Sequence, residues 1–481
     1  MTTGGGLIGQ RVRRVVCPDA VVVIPGIMGS TLKQGDRVLW GAESLGWYAR
    51  AWSRSGSSLV ELALTPEERA GSYGRVRATG LLRTPSWAPF LRGIEPYTAL
   101  VKAISQVVAD PAAVLEFAYD WRLPVAHNAT ELEREARDHL TRWRSSVEYE
   151  ALRRELPDTR RPQLVLVAHS MGGLLVRALP DDLDVRATVT LGTPFDGAAQ
   201  AALILNTGRG APVPLPRRRL RAMAATMPGL HDLLPTYRCL DDRGHDTDPR
   251  RLTPEDVEAF GGDPELAAAS FAFHRDTAER VLPGHHAVIG TSQPTTSSLT
   301  LIGGVLDGCR NTFDLTGGVF QRNAQGVLVR VVRGGDGTVP HNSALPRGLR
   351  PATLAQQHGA LATSAEAIHA VRDVICERDP NAERLGAGEI GIELPDVVEV
   401  GTEFAVVMVS GVDGPTDASV TVHRDDDPIA VDHPSIHRAD GRWQATVPAE
   451  RPGIYRITVA GGGTTPVTQL VLAHDPRHHL P

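Results

Sequence analysis

The sequence predicts an α/β domain with a mostly parallel sheet, followed by a small all-β domain. Three observations support this prediction: continuous apolar runs end in small-residue turns, helix-compatible stretches separate these runs, and short β-rich segments take over after about residue 385. A strand that is buried on both faces of a parallel sheet reads as a continuous apolar run. At 481 residues the chain is also too long for one ordinary hydrophobic core, which favours two domains.

Composition excludes several classes of function. Lys and Arg number 50 against 56 Asp and Glu, so the net charge of -6 gives no global field toward nucleic acid, which is not an expected partner. No stretch reaches the about 18 consecutive apolar residues of a membrane span. The four cysteines follow no ligand spacing and predict neither a zinc site nor a disulfide framework. Residues 1–14 show no secretory signal, so we expect a reducing, cytoplasmic location.

The strongest chemical signal is a turn around Ser170. The apolar run 164–167 predicts a buried strand, and the stretch 172–179 is compatible with a helix. The segment Ala-His-Ser-Met-Gly at 168–172 has small residues two before and two after the serine, as a tight strand-to-helix turn that exposes a hydroxyl requires. Ala168 departs by one methyl group from the glycine of the G-x-S-x-G pattern. Ser170 is therefore the candidate nucleophile.

A second strand-to-turn junction lies near the N-terminus. The β-branched run 20–24 predicts a strand, and it ends in Pro-Gly-Ile-Met-Gly-Ser at 25–30. Acyl transfer needs backbone N–H donors that point at the developing oxyanion, and a glycine-rich turn presents such donors. The N–H groups of Ile27 and of Met171, which follows the nucleophile, are the candidate oxyanion hole. An ordinary strand-to-helix loop is the alternative for 25–30.

A candidate acid lies in a glycine-rich loop late in the chain. The run 326–332 predicts a strand, and Asp336 follows it within Gly-Gly-Asp-Gly-Thr-Val-Pro at 334–340. In the order serine, aspartate, histidine, the acid of a catalytic triad follows a late strand in this way. The alternative is a plain Asp-Gly turn.

His358 is the candidate base. It lies just before a predicted helix that runs to about residue 377 and whose start is marked by Thr363 and Glu366 as a capping box. His341 is the competing base. We rank it lower because a histidine so close to Asp336 has no strand-to-helix connection that would carry it across to the nucleophile.

The rest of the first domain is predicted in less detail. Residues 31–93 are irregular and contain Trp40, Trp47, Trp52 and Trp87, which suggests a cap or lipid-facing loop, with packing on the core as the alternative for each tryptophan. Residues 198–285 have no strand-like spacing and predict a helical lid. Its arginines at 217–221 could meet phosphate or anionic headgroups, or form a solvated helix face. The remaining predicted elements are helices at 97–108 and 130–149 and strands at 113–119, 185–191 and 286–290.

After about residue 385 the sequence predicts a small β-sandwich of immunoglobulin-like type. About seven short β-rich runs are separated by Gly, Pro and Asp turns. We expect this second domain, residues 385–481, to fold separately from residues 1–384 and to contribute no catalytic group. The predicted strands are 389–394, 397–400, 403–410, 418–424, 442–447, 454–459 and 467–473.

Taken in order, the motifs resemble one family, that of lecithin:cholesterol acyltransferase. The resemblance covers about residues 15–380 and rests on Val-Ile-Pro-Gly-Ile-Met-Gly-Ser (23–30), Tyr-Asp-Trp-Arg (119–122), Ala-His-Ser-Met-Gly-Gly (168–173), Gly-Thr-Pro (192–194), Met-Pro (227–228) with Leu-Leu-Pro (233–235), Gly-Asp-Gly-Thr-Val-Pro (335–340) and Gln-His (357–358). It implies an α/β-hydrolase fold, nucleophile Ser170, acid Asp336, base His358 and oxyanion donors Ile27 and Met171. It implies no metal or organic cofactor.

The chain departs from the secreted members of that family. Those members have signal peptides and a disulfide-tied loop near the active site, whereas no cysteine lies here between Cys17 and Cys239. The C-terminal β domain also lies outside the resemblance. A sterol acceptor is therefore not implied.

The resulting expectation is a serine enzyme that acts on a lipid ester through an acyl-enzyme. Water as acceptor makes it a lipase or phospholipase A, and an alcohol makes it an O-acyltransferase. The alternatives are a carboxylesterase on a soluble ester and a binding protein that keeps the hydrolase shell and recognises a partner through its C-terminal domain. The helical insertion and the C-terminal domain are the candidate surfaces for a membrane or protein partner.

Overall fold

The computed structural model describes residues 16–41, 57–88, 92–208, 217–241, 247–378, 390–412, 414, 416–461 and 465–475. The predictions made for the N-terminal leader, Trp47, Trp52 and the linker near residue 385 lie outside these residues, as does the side chain of Trp87.

The chain folds into an α/β unit (described residues 16–378) and a C-terminal β unit (described residues 390–475). The strands of the α/β unit are β1 (Ala20–Ile24), β2 (Ser30–Gln34), β3 (Arg37–Trp40), β4 (Arg77–Leu81), β5 (Ser86–Ala88), β6 (Arg92–Ile94), β7 (Val114–Glu116), β8 (Leu164–His169), β9 (Val185–Leu191), β10 (His285–Gly290), β11 (Ser298–Ile302), β12 (Val305–Cys309), β13 (Thr312–Phe313), β14 (Leu315–Thr316), β15 (Val319–Phe320), β16 (Arg330–Val331) and β17 (Ala352–Leu354). The strands of the C-terminal β unit are β18 (Gly391–Glu393), β19 (Val397–Glu399), β20 (Glu403–Ser410), β21 (Ala418–Arg424), β22 (Asp427–Asp432), β23 (Ile436–Ala439), β24 (Arg442–Pro448), β25 (Gly453–Gly461) and β26 (Val467–His474).

The described helices all lie in the α/β unit. They are α1 (Ser57–Leu62), α2 (Pro66–Arg69), α3 (Thr98–Ser105), α4 (Val125–Arg144), α5 (Val147–Glu155), α6 (Gly172–Arg177), α7 (Ala199–Thr207), α8 (Arg217–Ala224), α9 (Pro228–His231), α10 (Pro254–Ala259), α11 (Pro264–Thr277), α12 (His341–Ala344) and α13 (Ala365–Ile375). Single 3₁₀ turns are formed by Pro111–Ala113 and His358–Ala360. Within the described residues, no helix is both long and apolar enough to cross a bilayer.

A parallel sheet forms the centre of the α/β unit. Its strand order is β17-β10-β9-β8-β1-β7, and every neighbouring pair is parallel. All residues of β1 and β8 are buried, which is why both strands read as continuous apolar runs. Helices α4 and α6 pack against each other and on β1 and β8, whereas α3 and α13 pack on β7 and β9. The α/β part of the fold prediction is confirmed.

The predicted helix 130–149 is two helices. Helix α4 ends at Arg144, and α5 begins at Val147. The hydroxyl of Ser146 accepts a hydrogen bond from the N–H of Tyr149 (3.1 Å), so Ser146 is the N-cap of α5. The helical periodicity continues through the break, but the cap residue interrupts it.

The predicted strand 326–332 is wrong. Only β16 forms there, and it pairs antiparallel with β13 outside the central sheet. Val327 and Val332 are exposed, so this valine-rich run does not mark a buried strand. The last strand of the central sheet is instead β17, which lies at the edge beside β10.

The helix before which His358 lies begins one residue later than expected. The predicted capping box of Thr363 and Glu366 is wrong, because Ser364 is the N-cap of α13 and its hydroxyl accepts from the N–H of Ala367 (3.3 Å). The hydroxyl of Thr363 donates instead to the carbonyl of Ala360.

The tryptophan-rich region is partly core. Trp40 is fully buried, donates its indole N–H to the carbonyl of Met28 (2.6 Å) and meets Trp121 edge to face. Trp40 therefore follows the expectation that a single tryptophan packs on the core, and it does not face a lipid. The sheet β3-β2-β4, which carries this residue, was not predicted. Residues 198–285 contain the helices α7–α11, in agreement with the predicted helical segment. The role of this segment as a lid stays a prediction.

The C-terminal β unit consists of two sheets. Their orders are β18-β20-β24-β23 and β19-β26-β25-β21-β22, with β19–β26 as a parallel pair and the other neighbours antiparallel. An apolar core lies between them. The arrangement is compatible with the predicted β-sandwich, while its immunoglobulin-like type and the boundary at 384/385 stay predictions. Strands β22 and β23 were missed because β22 (DPIAVD) contains a proline and has aspartate at both ends, and β23 (IHRA) has only four residues with two polar ones at its centre.

Candidate active site

The turn at Ser170 is a strained strand-to-helix junction. Ser170 has a φ of 53°, a left-handed conformation that non-glycine residues rarely adopt. Its N–H donates to the carbonyl of Leu191 (2.8 Å) at the end of the adjacent strand β9. A side chain at Gly172 would place its Cβ 2.6 Å from the carbonyl oxygen of Pro25. This close approach explains why the residue two after the serine is glycine.

The structure brings the three predicted triad residues into one hydrogen-bonded row. His358 Nε2 lies 2.8 Å from Ser170 Oγ, and His358 Nδ1 lies 2.7 Å from Asp336 Oδ2. All three side chains are buried. His358, and not His341, is the histidine that meets the serine. This is the geometry of a nucleophile, a general base and an orienting acid, whose catalytic roles stay predictions.

Asp336 is held rigidly by its own loop, Gly334–Pro340, which we call the acid loop. Its Oδ1 accepts hydrogen bonds from the N–H groups of Thr338 (2.9 Å) and Val339 (2.7 Å), so Oδ2 is the oxygen directed at His358. The backbone N–H of His358 also donates to the carbonyl of Asp336 (2.8 Å). Acid and base are thus joined through both backbone and side chains.

The predicted oxyanion donors lie beside the nucleophile. We call Pro25–Ser30 the oxyanion turn. A Cβ added at Gly26 would lie 2.7 Å from Ser170 Cβ, so this turn touches the nucleophile directly. The N–H groups of Ile27 and Met171 have no hydrogen-bond acceptor among the described residues. Both groups are therefore available to bind an oxyanion, as the predicted oxyanion hole requires.

The Tyr-Asp-Trp-Arg motif supports the oxyanion turn. The Tyr119 hydroxyl donates to the carbonyl of Pro25 (2.9 Å), and the Trp121 indole donates to the carbonyl of Ser30 (3.2 Å). The N–H of Tyr119 donates to the hydroxyl of Ser30 (3.1 Å). Three hydrogen bonds from one short segment therefore fix both ends of the turn.

Sequence reasoning missed a buried connection behind the triad. His169 Nε2 lies 3.0 Å from the carbonyl oxygen of His358, and His169 Nδ1 lies 2.8 Å from the Tyr97 hydroxyl. The N–H of Gly26 donates to that same hydroxyl (3.0 Å). Burial, together with the neighbouring His358, lowers the pKa of His169 to about 3.

The neutral ring of His169 has a defined tautomer. A carbonyl only accepts, so Nε2–H donates to His358 and Nδ1 accepts from Tyr97. Gly26 of the oxyanion turn, His169 next to the nucleophile, and His358 are therefore joined through Tyr97 in one chain of hydrogen bonds. No local sequence signal pairs Tyr97 with His169, because 72 residues separate them.

The row opens onto a small, apolar pocket. Its volume is about 30 Å³, and Ser170, His169 and His358 lie in its wall. Most of the remaining wall is aliphatic, and this lining includes Ile27, Ile94, Ile204, Leu230, Leu233 and Val339. Since Ile204 belongs to α7 and Leu230 to α9, the helical insertion forms part of the wall.

Comparison with known proteins agrees with the resemblance seen in the sequence. Residues 76–268 match the family model described as lecithin:cholesterol acyltransferase. The matched segment contains Ser170, whereas Ile27 precedes it and Asp336 and His358 follow it. Among curated proteins, none matches the chain significantly.

Proposed function

We propose that this chain is a serine enzyme that transfers or hydrolyses the acyl group of a lipid ester, and the match of residues 76–268 to the lecithin:cholesterol acyltransferase family model supports this proposal. The family indicates lipid acyltransferase or phospholipase activity. The observation that carries the finer proposal is the row Ser170–His358–Asp336, which opens onto an aliphatic pocket. A row of hydrogen-bonded polar side chains at the edge of an aliphatic pocket suits a substrate in which an ester carbonyl is attached to an acyl chain.

In the proposed reaction, Ser170 Oγ attacks the ester carbonyl carbon while His358 Nε2 takes the hydroxyl proton. Asp336 Oδ2 holds Nδ1–H of the imidazole and stabilises the imidazolium. The N–H groups of Ile27 and Met171 stabilise the negative oxygen of the tetrahedral intermediate. The intermediate expels the alcohol, which takes the proton from His358, and leaves an acyl-serine. Water or an acceptor alcohol then attacks this ester with the same base.

The size of the pocket bears on the substrate. A cavity needs about 10–15 Å³ to hold one water molecule, so a volume of about 30 Å³ has room for two or three of them. A long acyl chain therefore enters only if the walls formed by α7 and α9 move apart. The same volume favours the second candidate function, a carboxylesterase on a short-chain soluble ester. Chain-length preference therefore separates the two candidates.

The test uses the pure full-length protein with mixed phospholipids, with and without a long-chain alcohol. A lysophospholipid with free fatty acid identifies a phospholipase, and a new ester of the added alcohol identifies an acyltransferase. Turnover of short-chain esters alone identifies the esterase. A fluorophosphonate probe should label Ser170 in all three cases.

The controls for labelling are two serine variants. Ser170→Ala should lose the label, whereas Ser105→Ala, which removes only a hydrogen bond to Val101 within α3, should keep it. An unlabelled wild-type protein that is folded would contradict the proposed chemistry and favour the alternative of a binding protein.

A further inference from the structure

The C-terminal β unit packs directly against the loop that carries His358. We call Gln356–Ala360 the base loop. Ile454, Leu470 and Leu472 of β25 and β26 belong to the hydrophobic core of the α/β unit. Strand β26 contacts both β6 and the 3₁₀ turn that begins at His358. The base loop is therefore bordered by a part of the chain that contributes no residue to the triad.

Gln356 attaches the base loop to β26 by two hydrogen bonds. Its Nε2 donates to the carbonyl of Pro466 (2.9 Å), and its Oε1 accepts from the N–H of Thr468 (3.1 Å). Gln356 is almost fully buried, so neither bond competes with bulk water. A buried amide that satisfies two backbone groups of a neighbouring unit fixes the loop in position and orientation.

Gln293 joins the acid loop, the base loop and the C-terminal β unit. Its backbone exchanges hydrogen bonds with Gly335, the residue before Asp336 (3.0 and 3.2 Å). Its side-chain oxygen accepts from Gln357 Nε2 (3.2 Å) and from the N–H of Ile392 (3.2 Å). Its Nε2 donates to the carbonyl of Ile390 (2.9 Å). Gln293 is completely buried.

Two further features support the attachment of the acid and base loops to the C-terminal β unit. Ser292, directly before Gln293, has a φ of 64°, a strained conformation that persists only where the surroundings enforce it. On the other side of the base loop, the N–H of Glu95 donates to the carbonyl of Gly359 (3.4 Å), and the buried carboxylate of Glu95 pairs with Arg456 of β25. The base loop is therefore attached to the C-terminal β unit both directly and through its neighbours.

We infer that Gln293 is a positioning residue for the triad, and that the C-terminal β unit acts through Gln293 and Gln356 as a structural part of the active site. This inference rests on the proposed function, since it concerns the geometry of the same row. The hydrogen bonds of His358 to Asp336 (2.7 Å) and to Ser170 (2.8 Å) form only if the acid loop, the base loop and the turn at Ser170 are fixed relative to one another. Misplacement of a catalytic group by about 1 Å costs about 10²-fold in rate.

The test compares full-length Gln293→Met and Gln356→Met with wild type. Methionine retains the length of the side chain and removes its amide. We expect kcat and the rate constant of fluorophosphonate labelling to fall about 10²-fold in Gln293→Met and less in Gln356→Met. KM should stay nearly constant, because neither residue lines the pocket. The matched control is Gln163→Met, which removes a glutamine bond to Asp184 (2.8 Å) at the opposite end of β8 and should leave both rates unchanged.

Hydrogen exchange supplies a readout that does not depend on activity. Amides of residues 334–340 and 356–361 should exchange faster in Gln293→Met than in wild type, with little change in Gln163→Met. The inference is overturned if both variants label, turn over and exchange like wild type. If Gln293→Met does not fold, Gln356→Met decides by the same criteria. If wild type fails to label, the proposed function has failed, and exchange in the two loops still decides whether Gln293 holds them.

Discussion

The α/β unit and the C-terminal β unit differ in what they bury. The core of the C-terminal β unit is aliphatic and aromatic, and its buried polar residues among those described are Thr465 and Gln469. The α/β unit buries charged and titratable side chains as well, including Asp19, Glu68, Arg122, His169 and Asp336. Burial of such groups costs free energy unless each has a partner. The C-terminal β unit is therefore stabilised mainly by apolar packing, whereas the interior of the α/β unit also depends on the pairing of polar groups.

The difference predicts where single substitutions act. In the C-terminal β unit, loss of a methyl group from the core costs its burial and the small cavity that it leaves, typically about 1 kcal/mol. In the α/β unit, loss of one polar partner leaves another buried group unsatisfied, with a larger cost in stability or in activity. Single substitutions in the two units test this contrast.

The largest effect is expected at Ser170. Ser170→Ala removes the nucleophile and should lower kcat for ester turnover by about six orders of magnitude, because triad residues act as a unit. The measurement is steady-state turnover of a short-chain ester, with folding checked by circular dichroism. Retention of a tenth of the wild-type rate would remove Ser170 from this role.

Asp336→Asn should have the next largest effect. The amide cannot hold the same histidine tautomer as the carboxylate, so kcat should fall by about four orders of magnitude. The backbone bonds of the acid loop persist, and the melting temperature should change little. A loss of activity that accompanies unfolding would instead assign Asp336 a structural role.

Third is the buried charge cluster behind the oxyanion turn. Arg122 is fully buried, and its guanidinium donates to Asp120 (2.7 and 2.9 Å) and to Glu68 (3.0 Å). Arg122→Met leaves these carboxylates without that partner and should lower the free energy of unfolding by about 3–5 kcal/mol. The measurement is urea denaturation.

The matched control for Arg122 lies on the exposed face of α4. Arg134 pairs there with Glu131 and Glu135 and is 58% exposed. Arg134→Met should change the unfolding free energy by no more than about 1 kcal/mol. Equal changes in the unfolding free energy of the two variants would contradict the view that buried ion pairs contribute more to stability than exposed ones.

The sequence-based predictions were accurate where the structure depends on neighbouring residues along the chain. Strands β1, β9, β20 and β21 match the predicted ranges residue for residue. In these strands, each residue's position relative to the core determines its polarity, so the signal is local. Ser170 was found for a similar reason, since the geometry of its turn restricts the residues two positions away.

Contacts between distant segments were not predictable from one sequence. Asp336 was selected from its glycine-rich loop, although only the two residues of β16 form a strand before it and the loop is held by Gln293. His169 contacts a residue 189 positions away, and Gln293 contacts one 99 positions away. A polar side chain whose partner is that distant leaves no periodicity, which is why the supports of the triad emerged only from the structure.

The smallest predicted effect is a pH dependence that resides in the α/β unit. Burial lowers the pKa of His169 to about 3 and the pKa values of His274 and His285 to about 4. An unfolded histidine has a pKa of about 6.5, so between about pH 6.5 and pH 4 the unfolded chain binds more protons than the folded chain. Acidification through this window therefore lowers stability.

Four carboxyl groups oppose this trend, because burial raises the pKa values of Glu95, Asp196, Asp232 and Asp425. Burial raises the pKa of Asp232 to about 6, so from about pH 4 to pH 6 the folded state binds the additional proton and acidification favours folding. The three histidines outweigh these carboxyl groups, because an unfolded histidine takes up its proton near pH 6.5, whereas a carboxyl group favours folding only below its own folded pKa. The free energy of unfolding should therefore fall between pH 7 and pH 5. Chemical denaturation at the two pH values measures this change.

Substitution of one buried and one exposed histidine tests where the acid sensitivity arises. His285 lies at the start of β10, with its Nε2 2.9 Å from the Thr190 hydroxyl, whereas His437 is exposed in the C-terminal β unit. His285→Gln should reduce the difference in unfolding free energy between pH 7 and pH 5 by about 2 kcal/mol, because one buried group no longer resists protonation. His437→Gln should leave that difference unchanged. If the two variants behave alike, the acid sensitivity does not arise from buried histidines of the α/β unit, and the contrast between the two units fails at this point.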